Sequence, residues 1–141
     1  MREILFRGKR ICNGKMMFGS LFCCNDGDCY IVADDFHRSH YRVEPETVGQ
    51  FTGLTDKNGT KIFEGDIVDA SGEWWNAAGP AGHDSPIIAV EWDDELCGFA
   101  PFAVYDCDCG VYISSRGVEV IGNIYDNPEL LEVCNGHFDS N

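Results

Sequence analysis

The sequence predicts an all-β fold with minor α content. Short apolar runs rich in β-branched and aromatic residues recur along the chain, broken by turn formers roughly every 8–12 residues. No sustained helical periodicity appears, and no segment repeats at the spacing of solenoids or propellers. The clearest stretch is Val48 to Val68, in which strand runs Val48 to Leu54 and Lys61 to Phe63 flank the turn formers Asp56, Asn58 and Gly59. Asn-Gly tolerates positive φ at both central turn positions, which suits the twist of paired strands. Glu64-Gly65-Asp66 then punctuates the chain before Ile67-Val68 resumes an extended apolar pattern.

Taken in order, residues 1 to 11 read as a first strand with Ile4 and Phe6 on one face, closed by Gly8. Asn13-Gly14 supplies a hairpin turn, and Met16 to Cys24 reads as a second strand with one side fully buried. Asn25-Asp-Gly-Asp is the next turn, Cys29 to Ala33 the third strand, and Tyr41-Arg-Val a fourth after the polar segment Asp34 to His40. Proline cannot donate a ladder hydrogen bond, so Pro45 ends that strand, and Glu44 to Thr47 is expected to form one helical turn.

Beyond the central stretch the character changes. Ser71 to Pro86 is rich in glycine, proline and alanine and reads as a long loop or flap holding Trp74 and Trp75. Ile87 to Trp92 is expected to form one strand, ended by the acidic turn Asp93-Asp94-Glu95. Gly98 to Tyr105 is its hairpin partner, with Pro101 marking an edge or bulge. A Cys-Asp-Cys-Gly turn at 107 to 110 leads to Val111-Tyr-Ile, and Val118 to Tyr125 is the last strand. Asp126 or Asn127 can cap a short helix with Pro128 at its first position. These elements predict an N-terminal β region at 1–43, a second region at 44–133 forming a sandwich or small barrel, and a flexible tail at 134–141.

The chain has 141 residues, enough for a sizeable core, and its 44% apolar and 24% charged content is that of a folded globular protein. Charge is the unusual property. Residues 1–61 hold nine Lys/Arg against eight Asp/Glu, whereas residues 62–141 hold Arg116 alone against sixteen acids, leaving that half at −15. A phosphate backbone needs clustered cations, so direct nucleic-acid binding is not expected. The basic start carries no apolar h-region of a signal peptide, and no apolar run is long enough to span a bilayer; a soluble cytoplasmic protein without membrane association is the expectation.

Eight cysteines stand at 12, 23, 24, 29, 97, 107, 109 and 134. Without a signal peptide they are expected to be free thiols, and neither the neighbours Cys23 and Cys24 nor the Cys107/Cys109 pair is spaced for easy bridging to one another. Their spacing also lacks the C-x2-4-C knuckles of zinc sites, so no metal is assigned, although a cross-strand set with His37 or His40 is a possible alternative. Asp106 to Gly117 fails the calcium-loop pattern, with Val111 where glycine is needed and Gly117 where glutamate is needed. No nucleophile stands at a strand-to-helix elbow and no glycine loop cradles phosphate, so neither an enzyme nor a cofactor is expected.

The start Met-Arg-Glu-Ile-Leu-Phe-Arg-Gly-Lys-Arg, the segment Glu44 to Gly59, Lys61-Ile-Phe-Glu-Gly-Asp-Ile-Val and the segment Val118 to Glu132 together closely resemble the YopX family of phage and prophage proteins. The resemblance covers about half the chain; residues 23–40 and 71–115 go their own way. It implies a small β-rich cytoplasmic phage protein with an SH3-like barrel from Gly65 onward, and it supplies no catalytic residues. The expected role is therefore a binding or assembly module, homo-oligomeric or bound to a host or phage protein. Trp74, Trp75, Asp93, Asp94, Glu95, Asp106 and Asp108 are its candidate contact residues. The alternatives are an acidic mimic of nucleic acid that inhibits a host nuclease or regulator, and a cysteine-based metal protein.

Overall fold

The computed structural model describes residues 2–73, 86–102, 105–106 and 111–131. The chain divides into two compact units, Met1–Gly53 and Leu54–Asn141, with the division falling inside a strand.

The first unit is one antiparallel sheet. Its strands are β1 (Phe6–Lys9), β2 (Met16–Cys23), β3 (Cys29–Val32), β4 (His40–Val43) and the start of β5 (Gly49–Thr55), in spatial order β4-β3-β2-β1-β5. The predicted turns are where the sequence puts them. Gly14 and Gly27 take φ of 70° and 97°, and the Asn13 carboxamide accepts the Lys15 amide at 3.0 Å. A 3-10 turn spans Pro45–Thr47, where the Thr47 hydroxyl accepts the Lys9 amide at 2.9 Å and donates to the Glu44 carbonyl at 2.6 Å.

Gly8 does not close β1 but lies inside it, because the sheet coils tightly there. A Cβ at position 8 would stand 2.9 Å from Val43 Cγ2. Coiling returns β4 to the end of β1: Arg10 bridges Val43, the Ile11 amide donates to the Arg42 carbonyl at 3.0 Å, and the Glu44 amide donates to the Lys9 carbonyl at 2.9 Å. The concave face encloses a core of Cys29, Ile31 and Val43, against which Phe6, Met17, Leu21 and Val48 pack. One expectation is overturned here. No face of β2 is fully buried: Met17 and Leu21 pack on this core only in part, while on the opposite face Phe18 and Phe22 are exposed at 47% and 59%.

The second unit receives β5, which pairs with β6 (Lys61–Phe63). The turn between them is closed by Asp56, whose Oδ1 accepts the amides of Asn58 and Thr60 at 2.8 and 2.9 Å. At the next reversal Gly65 takes φ of 93°, and buried Asp66 accepts the Phe63 amide at 2.7 Å. β7 (Asp66–Asp69) is the middle of a three-stranded sheet, β13-β7-β8, with β8 at Ile87–Ala89 and β13 at Glu119–Asn123. Ile67 and Val68 point to opposite faces of this sheet and both are fully buried, so β7 is covered on each side.

Ile87 to Trp92 is not one strand. Val90 separates β8 from β9 (Glu91–Asp93), which pairs instead with β10 (Gly98–Ala100). The Val90 amide donates to the Asp66 carbonyl and its own carbonyl accepts the Gly65 amide, both at 2.8 Å, so the chain changes sheets at a buried and fully bonded residue. The expected partner strand Gly98 to Tyr105 is shorter than that: β10 ends at Ala100, because Pro101, which follows through a cis peptide, cannot donate a ladder hydrogen bond. β11 (Tyr105–Asp106) and β12 (Val111–Tyr112) form a further pair.

β13 is bulged between Val120 and Gly122, and it leads into a turn in which the Asn123 carboxamide accepts the Tyr125 and Asp126 amides. Residues 129–131 are helical after Pro128, as the capping pattern predicts. The core of the unit is Ile62, Val68, Ala70, Ile88, Val90, Ile113 and Val118, with Leu54, Phe99, Phe102 and Val120 packed against it. Each fully buried Val or Ile contributes about 1.5–3 kcal/mol. The fold is all-β with one short helix, and among the described residues its sheets do not close into a barrel.

Candidate binding surfaces

Strand register builds the first surface. Phe22 pairs with Tyr30 and Tyr30 with Arg42, while Ser20 pairs with Val32 and Val32 with His40. Directly opposed residues share a face of the sheet. Phe18, Phe22, Tyr30, Val32, His40 and Arg42 therefore point away from the concave core. The Phe22 and Tyr30 rings stand 6.5 Å apart at 48°, and Phe22, Tyr30, Val32 and His40 line a cavity of about 370 Å³. Arg42 at the end of this row is held by the Asp28 carboxylate at 2.9 Å. In the β3–β4 loop, Phe36 is 96% exposed with its ring edge-on to His37 at 5.3 Å. An open apolar pocket with one imidazole in its lining suits the capture of an apolar or aromatic group.

The second surface is the tip of the β9–β10 hairpin, and it holds three of the predicted contact residues. Asp93 is committed to the turn, its Oδ1 accepting the Glu95 and Leu96 amides at 2.9 and 3.0 Å. Asp94 accepts the indole N–H of Trp92 at 2.7 Å. Glu95 is exposed, and Trp92 and Leu96 beside it are about half exposed, with the Trp92 ring edge-on to Phe99 at 5.1 Å. So the acidic turn is a structured tip in which two of three carboxylates serve local hydrogen bonds. Asp106 lies at the end of β11 by its backbone, and Trp74, Trp75 and Asp108 lie outside the described residues. Among the described residues no cluster of three His, Cys, Asp or Glu side chains is arranged to hold a metal ion. Among the described residues, no helix is long and apolar enough to cross a membrane.

The sequence reading missed the β2–β3 surface because Met16 to Phe22 is apolar at both parities and so looked buried. One signal was present: Ser20 shares its parity with Phe18 and Phe22, and a serine in mid-strand marks the row that meets water.

The motif residues do structural work throughout. Thr47, Asp56, Gly65, Asp66, Asn123 and Asn127 each close a turn or sit where a side chain or Cβ has a defined neighbour. A family model for the YopX protein matches residues 5–132. The chain belongs to the YopX family. No curated protein matches this YopX-family chain. Among solved structures it is similar to the crystal structure of protein EF1440 from Enterococcus faecalis, with a TM-score of 0.51 and 22% identity, covering 93% of this chain and 99% of that one. Likeness at that identity speaks to the fold.

Proposed function

We propose that this chain is a non-enzymatic binding or assembly module, a phage or prophage accessory protein of the bacterial cytoplasm, whose docking surface is the outward aromatic row of β2 and β3. Its partner on this reading is a protein, in the first instance a second copy of the chain. The observation that carries the reading is the pair Phe18 and Phe22, both about half exposed on one strand face beside an open apolar cavity. Leaving half of each ring in water forgoes roughly half of the 1.5–3 kcal/mol that full burial gives, which a partner recovers by covering it. Self-association works against a charge of −14 on each copy, so contacts that set residues 1–61 (+1) against residues 62–141 (−15) are favoured over contacts between two acidic segments. We read the second unit as an SH3-like arrangement.

Native mass spectrometry of protein purified from its own host tests this directly. The expected spectrum shows a homo-oligomer or a retained protein, lost when Phe22 is replaced by serine. A wild-type chain that stays monomeric and partner-free at every concentration sampled overturns it.

A second reading, an acidic mimic that occupies the nucleic-acid groove of a host nuclease or regulator, draws support from the charge of residues 62–141 and the exposed Trp92, Leu96 and Glu95. Surface charge attraction is screened beyond about 8–10 Å at physiological salt. A partner held this way is released by a high-salt wash, and one that stays bound argues against the mimic.

A further inference from the structure

Cys23 and Cys29 are direct partners across the β2–β3 pair, at its turn end. The Cys24 amide donates to the Asp28 carbonyl at 2.7 Å, so the 24/28 pair is hydrogen-bonded. Hydrogen-bonded and non-hydrogen-bonded pairs alternate along an antiparallel ladder, which makes 23/29 a non-hydrogen-bonded pair with its Cα atoms about 4.5 Å apart. That separation falls within the roughly 4.4–6.8 Å that a disulfide accepts. Cys24 is poorly placed to compete, because successive strand residues point to opposite faces and a bond to its neighbour Cys23 would be strained. The two thiols also differ in access: Cys23 is exposed and Cys29 buried.

We propose that Cys23 and Cys29 form a thiol–disulfide exchange site that closes a cross-strand disulfide when it meets a low-molecular-weight disulfide. The Cys23 thiolate attacks one sulfur of the small disulfide, whose S–S bond breaks and releases the first small thiol. A mixed disulfide on Cys23 results. The Cys29 sulfur then attacks Cys23 Sγ, the mixed bond breaks, and the second small thiol leaves. The protein dithiol is oxidised by two electrons, the small disulfide is reduced, and the two thiol protons leave on the two released thiols.

The order of events follows from the surroundings. The hydrogen bond with the Cys23 thiol, burial, and the negative charge of Cys23, Cys24 and Asp28 push the Cys29 thiol up to about 11. Cys29 also lies 3.7 Å from the Gly27 carbonyl, which accepts its S–H. Cys29 therefore stays protonated and waits, and exposed Cys23 reacts first.

The test uses the full chain, fully reduced and then exposed to glutathione disulfide, quenched, denatured, alkylated and mapped by mass spectrometry. Wild type is expected to lose two hydrogen atoms through a bond between Cys23 and Cys29, with no glutathione left on either. Cys29→Ser is expected to stop with glutathione on Cys23, and Cys24→Ser to close the bond as wild type does. Cys23→Ser, at an exposed position that folding tolerates, leaves Cys29 unmodified. The proposal is overturned if Cys23 and Cys29 are both alkylated while exposed Cys12 or Cys97 has taken up glutathione. Wild type arrested with glutathione on Cys23, or Cys23 bonded to Cys24, overturns it equally.

Discussion

The carboxylate of Asp56 accepts the amide of Val120 at 2.9 Å, across 64 residues of sequence. Its other oxygen accepts the Asn58 and Thr60 amides, so one side chain both closes the β5–β6 turn and fastens it to β13. Hydrogen bonds to a charged acceptor are worth about 1.5–3 kcal/mol, and leaving their donors unmet adds to the loss. Asp56→Ala is expected to destabilise the protein by about 2–4 kcal/mol, read as a lower denaturant midpoint at unchanged slope. Asp56→Asn keeps a carbonyl oxygen for part of the set and loses less. An alanine variant as stable as wild type would remove Asp56 from this role.

Acid should find the same residue. Burial pushes the Asp56 carboxyl up, but the amides of Val120, Thr60 and Asn58, with the charge of Lys57, outweigh it and hold the group below the ordinary carboxylate value. A carboxyl whose folded value is depressed binds its proton more tightly when unfolded. Its contribution is therefore complete above the unfolded value of about 3.9 and is lost as pH falls through the folded one. Denaturant midpoints followed from neutral pH downward should fall below about pH 4, and fall less steeply in Asp56→Asn. Parallel curves for the two proteins would contradict this.

Two glycines of the first unit make separable predictions. At Gly19 a Cβ would collide with the Val32 carbonyl oxygen, a backbone atom that cannot swing aside. Gly19→Ala is expected to cost about 3 kcal/mol or more. Gly27 sits in open space, but at φ of 97°, so Gly27→Ala carries only the conformational penalty of about 1–2 kcal/mol. Thermal melts of the two variants should therefore differ clearly, with Gly19→Ala the lower.

Phe22→Ser should leave the protein folded at a cost of about 1 kcal/mol, because the ring is 59% exposed and its covered part rests on Tyr30. The same change should dissociate an oligomer or release a retained protein, since exposed aromatics near the centre of a contact carry much of its energy. Native mass spectra of the variant and wild type, beside their melting curves, separate the two effects. Equal oligomer populations would count against this face as the contact.

Turn chemistry made much of the fold readable. Asn13-Gly14, Asn25 to Asp28, Asp56 to Gly59 and Glu64 to Asp66 each reverse the chain as the sequence indicates, because the residues that tolerate positive φ or close an Asx turn act locally. What could not be read depends on distant partners. Nothing between Ile87 and Trp92 announces that Val90 will bond Gly65 and Asp66 and change sheets. Which face of Met16 to Phe22 meets the core is likewise decided by Cys29, Ile31 and Val43. Of the candidate surface, the acidic tip was visible as composition; that Asp93 and Asp94 are occupied with Leu96, Glu95 and Trp92 became evident only from geometry.

The bridge from Arg10 to Val43 reaches beyond packing. An outer strand is ordinarily a template on which another chain can lay its own backbone, the first step towards fibrils. Here the Ile11 amide already occupies the Arg42 carbonyl and the Lys9 carbonyl already takes the Glu44 amide, so the far end of β4 is sealed by the molecule's own chain. Along that stretch a newcomer finds side chains to touch but no ladder to extend, which favours assemblies of finite size over open-ended ones.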